Sequence, residues 1–399
     1  MTTIINNEHK KLNVPNLRFK EFEGEWKMCK LGDITTNFNI RNKEKIQYPM
    51  YSVTNNRGFV PQTEQFEDRD MVGEDIKAYK VIHKDEFAYN PARINVGSIA
   101  RYEGDKPCMI SSLYVCFKSR GQIDSNWLMH LLKTPKMNFY YNLNGEGGVR
   151  VYLFYPNFAR IYTSYPGMKE QKKIAKLLSL LDERIAIQNK VIDKLQSLIK
   201  GINQRVFMNN GINYKLGEVC EIRSGYSGNQ LLSKKGLKVS RIETISGHKV
   251  NMERVGYVAP FESSENYRLR VGDILFSNIN SVEYIGNTAF IDKDYDLYHG
   301  MNLLRLTPNN TVVIPFYLYL LLNTNRMLNH FKTVCNKAVS QASINQTELG
   351  KTVIQIPPIK TQERICELYQ ALYTKLETAS HTKSLFQNQK QYMLRQMFI

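Results

Sequence analysis

Side chains that can hydrogen-bond base edges or phosphates occur in six short clusters along this chain. Base readout needs paired donors and acceptors, as in Asn, Gln and Arg, set among cations that hold the phosphates. For any one residue a solvated surface position is an equal alternative, so the hypothesis rests on the clusters. The candidates are Arg41, Lys43, Lys45, Asn55, Asn56, Arg57, Arg150 and Tyr152 in the first half, and Arg223, Ser224, Tyr226, Lys234, Lys235, Lys337, Ser340 and Gln341 in the second.

Catalytic chemistry finds no support in the sequence. No segment has the spacing of a phosphate-binding loop, a dinucleotide fold or a zinc protease. The run Asn90-Pro91-Ala92-Arg93 is nearest to an amino-methyltransferase motif, but Arg stands where an aromatic ring would stack on the base. Residues 103–106 and 144–150 are interpreted as turns. The six cysteines include no CxxC pair, so we expect reduced thiols, no metal site and no enzymatic activity.

The charge of the chain indicates a polyanionic partner. Lys and Arg number 54 against 37 Asp and Glu, which gives a net charge of +17 and a pI near 9.4. Residues 1–210 hold 32 basic and 22 acidic side chains, and residues 211–399 hold 22 and 15. Both halves are therefore basic, although an ordinary solvated surface is an alternative. No apolar stretch approaches the ~18 residues of a membrane span, so the sequence predicts a soluble, cytoplasmic protein.

The two halves of the chain end in the same sequence. The segment from Pro166, PGMKEQKKIAKLLSLLDERIAIQNK, recurs from Pro357 as PPIKTQERICELYQALYTKLETASH, 191 residues later and without a gap. Upstream, LxxLLxT at residues 128–134 recurs at 318–324, and KLGDI recurs as KLGEV. A self-similarity of this length indicates a duplicated unit rather than a short solenoid repeat. The matched pairs include Gln171 with Gln362 and Phe207 with Phe398.

Each repeated segment carries apolar residues at alternating steps of four and three, the seam of a coiled coil. About 37 helical residues at ~1.5 Å each extend over ~55 Å, which is longer than a small domain needs. Packing of each helix on its own domain alone is the alternative. Lys383 and Lys390 interrupt the second seam. The candidate seam and partner-docking residues are Ile174, Leu178, Leu181, Ile185, Ile192 and Leu195, then Ile365, Leu372, Leu376 and Phe386.

The pattern predicts an α+β chain ordered as globular domain, helix, globular domain, helix. Short β-type runs such as residues 109–118 and 299–307 lie between turn residues, without regular βαβ alternation. A whole domain intervenes between the helices, so both orientations are sterically open. We expect an antiparallel pair, because a tandem repeat that closes through a pseudo-twofold axis requires it. The expected domains are 1–165 and 210–356, and the expected helices are 166–209 and 357–399.

The chain resembles the DNA-specificity subunit of type I restriction-modification systems over nearly its whole length. In the second half the resemblance lies in KLGEVCEIRSGYS, GDILFSNINSVEYIGNTAFI and above all SINQTELGKTVIQIPPIKTQERI. In the first half it lies in KLGDI, YSVTNNRGFV, GGVRVYLFYPNFARI and YPGMKEQKKI, with TTNFNIRNKEK in place of the Ser-Gly element. The resemblance implies two target recognition domains, each reading half of a bipartite double-stranded DNA site, and helices that set the spacer.

The same resemblance implies partners and cofactors. The helices would dock two modification subunits, which methylate adenine and hold S-adenosylmethionine. Restriction subunits would translocate DNA with ATP and Mg. None of these cofactors would bind this chain.

Other function classes share some of these features. A coiled-coil DNA-binding regulator without a methyltransferase partner fits the charge and the helices, but no helix-turn-helix signature is present. A structural scaffold would use the basic surface to bind acidic proteins. An enzyme acting alone lacks its motifs.

Overall fold

The duplication in the sequence is repeated in the order of the secondary-structure elements. A computed structural model describes residues 12–65, 76–148, 151–207, 211–337 and 341–399. The chain forms two units: unit 1 lies within residues 1–189 and 381–399, and unit 2 within residues 190–380. Each unit therefore contains parts of both long helical segments.

Unit 1 is an α+β domain of short strands and helices. Its strands are β1 (Lys27–Lys30), β2 (Thr35–Phe38), β3 (Tyr51–Thr54), β4 (Gly58–Pro61), β5 (Lys80–Ile82), β6 (Phe87–Tyr89), β7 (Ile99–Arg101), β8 (Cys108–Ile110), β9 (Val115–Ser119) and β10 (Tyr162–Tyr165). Its helices are α1 (Leu31–Ile34), α2 (Gln62–Gln65), α3 (Ser125–Leu132), α4 (Pro135–Asn144) and α5 (Tyr155–Ala159). The long helix α6 (Met168–Val206) follows and continues into unit 2.

Unit 2 repeats the opening strand, helix and strand, the helix pair and the final strand, and differs in the elements between them. Its strands are β11 (Ile212–Lys215), β12 (Cys220–Ser224), β13 (Leu237–Val239), β14 (Gly256–Val258), β15 (Ile274–Phe276), β16 (Ile279–Asn280), β17 (Thr288–Phe290), β18 (Leu304–Pro308), β19 (Asn336–Lys337), β20 (Ala342–Ser343) and β21 (Val353–Ile356). Its helices are α7 (Leu216–Val219), α8 (Pro315–Leu322), α9 (Asn325–Val334) and α10 (Gln346–Gly350). The second long helix is α11 (Ile359–Gln396), which begins 191 residues after α6.

The main sheet has equivalent strands in the same spatial order in both units. That order is β2-β9-β6-β7 in unit 1 and β12-β18-β15-β17 in unit 2, and every neighbouring pair is antiparallel. A separate antiparallel ribbon, β1 with β10 or β11 with β21, leads into each long helix. The predicted α+β repeat is confirmed, and it extends into strands whose sequences show no similarity.

The repeated LxxLLxT motif builds a helix pair beside each main sheet. Its leucines are buried in the core of the unit. Its threonine is an N-cap: the Oγ1 of Thr134 accepts the N–H of Met137 at 3.2 Å, and that of Thr324 accepts the N–H of Met327 at 3.3 Å. The motif therefore ends one helix and begins the next at the same place in both units.

A buried glutamine near the start of each long helix makes the same three hydrogen bonds. The Nε2 of Gln171 donates to the carbonyls of Pro166 at 2.8 Å and Gln122 at 3.1 Å, and its Oε1 accepts the N–H of Asp124 at 2.8 Å. Gln362 repeats these distances with the equivalent groups of Pro357, Val312 and Ile314. Neither glutamine is exposed. Each side chain thus joins the first turn of its helix to the domain segment before α3 or α8, and we call the two sets of bonds the glutamine clamps.

The two long helices run antiparallel within unit 1. Lys390 of α11 pairs with Asp182 of α6, and the guanidinium of Arg184 lies 5.6 Å from the ring centroid of Phe386. Higher residue numbers in α6 thus pair with lower residue numbers in α11, as in an antiparallel pair. In unit 2 the hydroxyl of Tyr369 hydrogen-bonds Asn203. The predicted antiparallel orientation is confirmed, and neither helix packs only on the domain that precedes it.

The predicted seam is the buried face of both helices. Ile174, Leu178, Leu181 and Leu372 are buried, and the remaining candidates, from Ile185 to Phe386, are half-buried. Lys390 occupies a seam position as an ion pair with Asp182, and its side chain is 16% exposed. The carboxylate partner explains why a lysine is accommodated there.

A phenylalanine at the end of each long helix packs into an aromatic cluster. In unit 1 the ring of Phe398 lies 6.4 Å from Trp26 and 5.8 Å from Trp127. In unit 2 the ring of Phe207 lies 5.5 Å from Tyr317 and 6.1 Å from Tyr369. The end of α11 is thus part of the core of unit 1, and the end of α6 is part of the core of unit 2.

We predict that Gln171→Leu destabilises unit 1 by about 2 kcal/mol, because it leaves buried peptide groups of Gln122, Asp124 and Pro166 without partners. For a unit of this size the unfolding midpoint should fall by about 4–8 °C in scanning calorimetry. The matched control is Gln389→Leu, at an exposed position of α11 within unit 1. Equal shifts for both variants would show that the clamp contributes nothing particular.

Candidate nucleic-acid interface

In unit 1 a hairpin and a loop meet beside the end of the central strand β6. The hairpin is closed by Glu146 and Tyr152, whose backbone N–H groups donate to each other's carbonyls at 2.8 Å. The next residue, Leu153, donates its N–H to the carbonyl of Pro91 at 2.9 Å. Pro91 belongs to the loop that joins β6 to β7, residues 90–98. Hairpin and loop therefore form one polar surface at this end of the sheet.

The loop of residues 90–98 is held by its own hydrogen bonds. The N–H of Asn90 donates to the carbonyl of Ser98 at 3.0 Å, and its Oδ1 accepts the N–H of Ala92 at 3.0 Å. The Oγ of Ser98 donates to the carbonyl of Val53 at 2.7 Å. Arg93 is exposed on this loop, and within the described part of the chain its guanidinium has no acidic partner. It can therefore meet a base edge or a phosphate without first breaking an ion pair.

Unit 2 builds the same surface from equivalent elements. The hairpin is the pair β19 and β20, and its next residue, Ile344, donates its N–H to the carbonyl of Asn278 at 2.9 Å. Asn278 lies in the loop that joins β15 to β17. The loop is closed by the N–H of Ser277, which donates to the carbonyl of Asn287 at 2.8 Å. The surface is thus a property of the repeated fold rather than of one domain.

The residue equivalent to Arg93 in unit 2 is Asn280. Each lies four residues after the last residue of the central strand, β6 or β15. Asn280 is half-exposed, donates one N–H to Ser277 Oγ at 3.1 Å and accepts the N–H of Ser281 at 2.8 Å. One amide N–H and one lone pair remain for a ligand. Neither residue was a candidate from the sequence. Their common position is defined by the ends of β6 and β15, which only the structure gives.

Two candidate clusters of unit 1 lie in different places. The turn at residues 55–57 joins β3 to β4 and touches the β6–β7 loop, since a Cβ at Gly97 would lie 3.3 Å from the carbonyl oxygen of Asn55. Arg57 pairs there with Glu64 at 2.7 Å. Arg41, Lys43 and Lys45 are exposed on another turn, which packs on β5 and β8 through Arg41↔Lys80 pairing and a hydrogen bond from Asn42 to Met109.

In unit 2, Arg223 and Ser224 open onto a cavity of about 470 Å³. The cavity is also lined by Asn266, Arg305 and Gln346, which were not sequence candidates. Gln346 lies three residues after the end of β20, so the cavity adjoins the segment that follows the hairpin. The sequence did contain a signal for Arg305, since it stands inside the apolar run LLRLT. A charged residue at a predicted core position indicates a functional role. Tyr226 is held nearby by stacking on Phe261, with centroids 3.9 Å apart.

The remaining candidates lie on exposed turns or outside the described residues. Lys234 and Lys235 are exposed before Gly236, whose φ of +126° forms the turn into β13. Lys337 and Gln341 are exposed on the hairpin of unit 2. Tyr152, 38% exposed, stacks on Phe154 on the hairpin side of unit 1. Arg150 and Ser340 lie outside the described residues. Their roles, like those of the other candidates, stay predictions.

One histidine beside the cavity is neutral at physiological pH. His299 is buried, and its Nε2 donates to the carbonyl of Leu303 at 3.0 Å, since a carbonyl only accepts. Burial is the main cause that lowers the pKa of His299 to about 4; the hydrogen bond to Leu303 opposes this shift and the charge of Arg305 adds to it. The positive charge of the cavity therefore comes from its arginines.

Two features that the described residues lack bear on other functions. None of the helices in the described part of the chain is long and apolar enough to span a bilayer. Among the same residues, no group of three His, Cys, Asp or Glu side chains is placed to hold a metal ion.

A family model matches both halves of the chain. The type I restriction modification DNA specificity domain aligns with residues 23–197 and again with residues 211–385. Among curated relatives, the MjaX type I restriction enzyme specificity subunit of Methanocaldococcus jannaschii is 38% identical over 46% of this chain and 44% of its own length. The EcoKI specificity subunit of Escherichia coli is 25% identical over 56% of this chain and 53% of its own. The chain thus spans about half the length of these two relatives.

Longer matches come from one further relative and two solved structures. The MjaVIII specificity subunit of Methanocaldococcus jannaschii is 24% identical over 94% of both chains. The S subunit of the type I restriction-modification system of M. genitalium has a TM-score of 0.61 at 13% identity, covering 97% of this chain and 99% of that one. A chain from work on complex assembly and conformational transition of the type I R-M system has a TM-score of 0.58 at 17% identity, covering 92% and 96%. These structures share the fold of the whole chain.

We predict that unit 2 loses stability in mild acid through His299. In the unfolded chain the imidazole takes up a proton as the pH falls below its ordinary pKa of 6.5. In the folded chain it stays neutral until the pH approaches 4. The contribution of His299 to the free energy of unfolding is therefore complete above pH ~6.5 and has fallen by roughly 2 kcal/mol at pH 5. His299→Gln, which keeps a donor for Leu303, should flatten this part of a pH series of unfolding midpoints. An unchanged slope in the variant would contradict the assignment.

Proposed function

The chain belongs to the family of the type I restriction modification DNA specificity domain, and from this we propose that it recognises double-stranded DNA for a type I restriction-modification complex. Each unit reads one half of a bipartite target. The chain itself neither transfers a methyl group nor cuts DNA. The observation that supports the proposal most is the hairpin-and-loop surface, which occurs at the same place in both units.

The two surfaces share one backbone hydrogen bond between hairpin and loop but present different side chains, so the two half-sites differ. Arg93 in unit 1 corresponds to Asn280 in unit 2. Arginine pairs best with the O6 and N7 of guanine, and asparagine with the N6 and N7 of adenine. We propose that these two residues read bases, with the exposed cations around them holding phosphates. The target is then asymmetric.

The partners follow from this division of labour. Two modification subunits dock on the long helices and supply adenine methylation with S-adenosylmethionine, and restriction subunits supply ATP- and Mg-dependent translocation. In this proposal none of these cofactors binds to the specificity chain. The repeat supports two modification subunits, because a duplicated helix pair offers two equivalent docking faces.

The long helices act as a ruler for the spacer between the half-sites. α6 has 39 residues and α11 has 38, so each is about 58 Å long at 1.5 Å per residue. One turn of duplex is ~34 Å, or about 10 base pairs. A rod of this length is sufficient to set a separation of at least one turn. The clamps at the helix starts and the phenylalanines at the helix ends give the rod defined end points.

A DNA-binding regulator or scaffold that needs no methyltransferase is the second candidate. It shares the basic charge and the antiparallel helices. It differs in one measurable way, since it would bind DNA or acidic proteins without directing any modification.

We predict that the chain directs adenine methylation only with its modification subunits. Sequencing of modified DNA should show one bipartite asymmetric site for the complex, and no methylation for this chain alone with S-adenosylmethionine. Arg93→Gln should relax or change one half-site, and Asn280→Ala the other, because each belongs to a separate unit. Both half-sites changing together would contradict independent reading.

The matched control is Arg364→Gln, at an exposed position of α11 away from both hairpins. It should leave both half-sites unchanged. Methylation by the chain alone would refute the division of labour. DNA binding without any methylation by the complex would favour the regulator.

We predict that a heptad inserted after Ile192, with a second after Lys383, lengthens the spacer by ~3 base pairs. Seven residues add ~10 Å, and each base pair spans ~3.4 Å. The paired insertion keeps the seam in register, although the added rotation along the duplex weakens binding. Spacer length is read from the same sequencing of modified sites.

The control is the insertion in one helix only, which shifts the seam and should cost stability or assembly. A paired insertion that gives an active complex with an unchanged spacer would show that the helices are not a ruler.

A further inference from the structure

Arg305 in the main sheet of unit 2 is a buried cation without an acidic partner. It is 8% exposed, and among the described residues it forms no ion pair with a carboxylate. Its Nη1 donates to the carbonyl of Arg268 at 3.2 Å, and its Nε has no hydrogen-bond partner. A buried charge in this state is costly unless a ligand compensates it.

The residue opposite Arg305 in the sheet increases this cost. Arg223 of β12 faces Arg305 of β18 across the strand pair, and like charges in that position repel. In unit 1 the equivalent pair is Phe38 and Cys116, which is apolar. The shared fold therefore does not need arginines here, and the pair is specific to unit 2.

The neighbouring carboxylates already bind groups other than Arg305. Glu221 pairs with Arg223 at 2.5 Å, and Glu265 lies 3.9 Å from Arg268. Asp273 accepts the N–H of Arg270 at 2.8 Å and the hydroxyl of Thr307 at 2.7 Å. None of them neutralises Arg305.

The cavity of about 470 Å³ beside these arginines is lined by donors and by no carboxylate. Besides Arg223 and Arg305 it exposes the polar side chains of Ser224, Ser263, Asn266 and Gln346. Its volume is within the ~300–1,000 Å³ usual for small-ligand pockets. Arginines with hydroxyl and amide donors around an open space are the chemistry that binds phosphate.

We propose that this cavity is a phosphate-binding site, in which Arg305 holds the phosphate, Arg223 joins it by exchanging its ion pair with Glu221, and Ser224 and Asn266 complete the hydrogen bonds. The source of the phosphate follows from the proposed function, on which this assignment rests. The phosphate is a phosphodiester of the duplex, because Gln346, which lines the cavity, lies three residues after the hairpin strand β20 of the same unit. The site is a clamp on the DNA backbone that fixes unit 2 on its half-site without reading sequence.

The test uses the full chain, alone and in its complex, with Arg305→Met. In chloride buffer the variant should unfold at the wild-type temperature or above it, because an unpaired buried charge is removed. A purely structural arginine would lose stability. Inorganic phosphate, at matched ionic strength, should raise the unfolding midpoint of the wild type but not of the variant.

The DNA arm measures affinity of the complex for target and non-target duplexes against salt. Arg305→Met should weaken both by roughly ten-fold at low salt and should reduce the slope of log K against log salt by ~0.9. If Arg305→Met fails to fold, Arg223→Met at an exposed position replaces it, and it should also weaken DNA binding and reduce the salt slope. Arg254→Met, an exposed arginine of unit 2 that does not line the cavity, is the control for loss of one charge.

The outcomes separate the two sources of phosphate. A reduced slope assigns the site to the duplex backbone, whereas loss of the inorganic-phosphate shift alone assigns it to a free phosphate. No change in either measurement overturns the proposal. A wild-type complex that binds no duplex would remove the proposed function, while the phosphate titration would still decide whether the site exists.

Discussion

Two-ended anchoring of the long helices is the constraint on which the rest of the structure depends. Gln171 and Gln362 fix the starts through buried hydrogen bonds to the backbone of the preceding domain. Phe207 and Phe398 fix the ends inside aromatic clusters. A helix held in this way at both ends cannot slide or rotate without leaving buried peptide groups unpaired or opening a cavity. The start and the end of each helix are therefore fixed within the unit that holds them.

The hairpin-and-loop surface that we propose as the DNA contact differs between the units in its side chains, while its backbone connection is shared. In both units the segment after the hairpin is tied to the loop after the central strand by one backbone hydrogen bond. Backbone bonds do not depend on side-chain identity, so Arg93 in one unit and Asn280 in the other occupy the same position. Rigid scaffolds with variable loop residues are the usual arrangement for binding sites.

Electrostatics also distinguish the two units inside the sheet. Where unit 1 pairs Phe38 with Cys116, unit 2 pairs Arg223 with Arg305. The first choice stabilises the sheet by burying apolar surface. The second loses that contribution and places two cations opposite each other, of which Arg223 pairs with Glu221 while Arg305 has no carboxylate partner among the described residues. Lys390 in the helix seam shows the alternative solution, because a carboxylate of the same unit, Asp182, neutralises it.

The sequence by itself determined the repeat, the two long helices and their seam. These depend on local periodicity and on a gap-free offset of 191 residues, and α6 and α11 begin at matching positions. Only the tertiary structure decided which polar residues share a surface. The Asn55–Arg57 turn reaches the β6–β7 loop, the Arg41–Lys45 turn packs elsewhere, and Arg93, Asn280 and Arg305 enter as new candidates. Strand pairing joins residues that are far apart along the chain, and single-sequence patterns carry no information about such contacts.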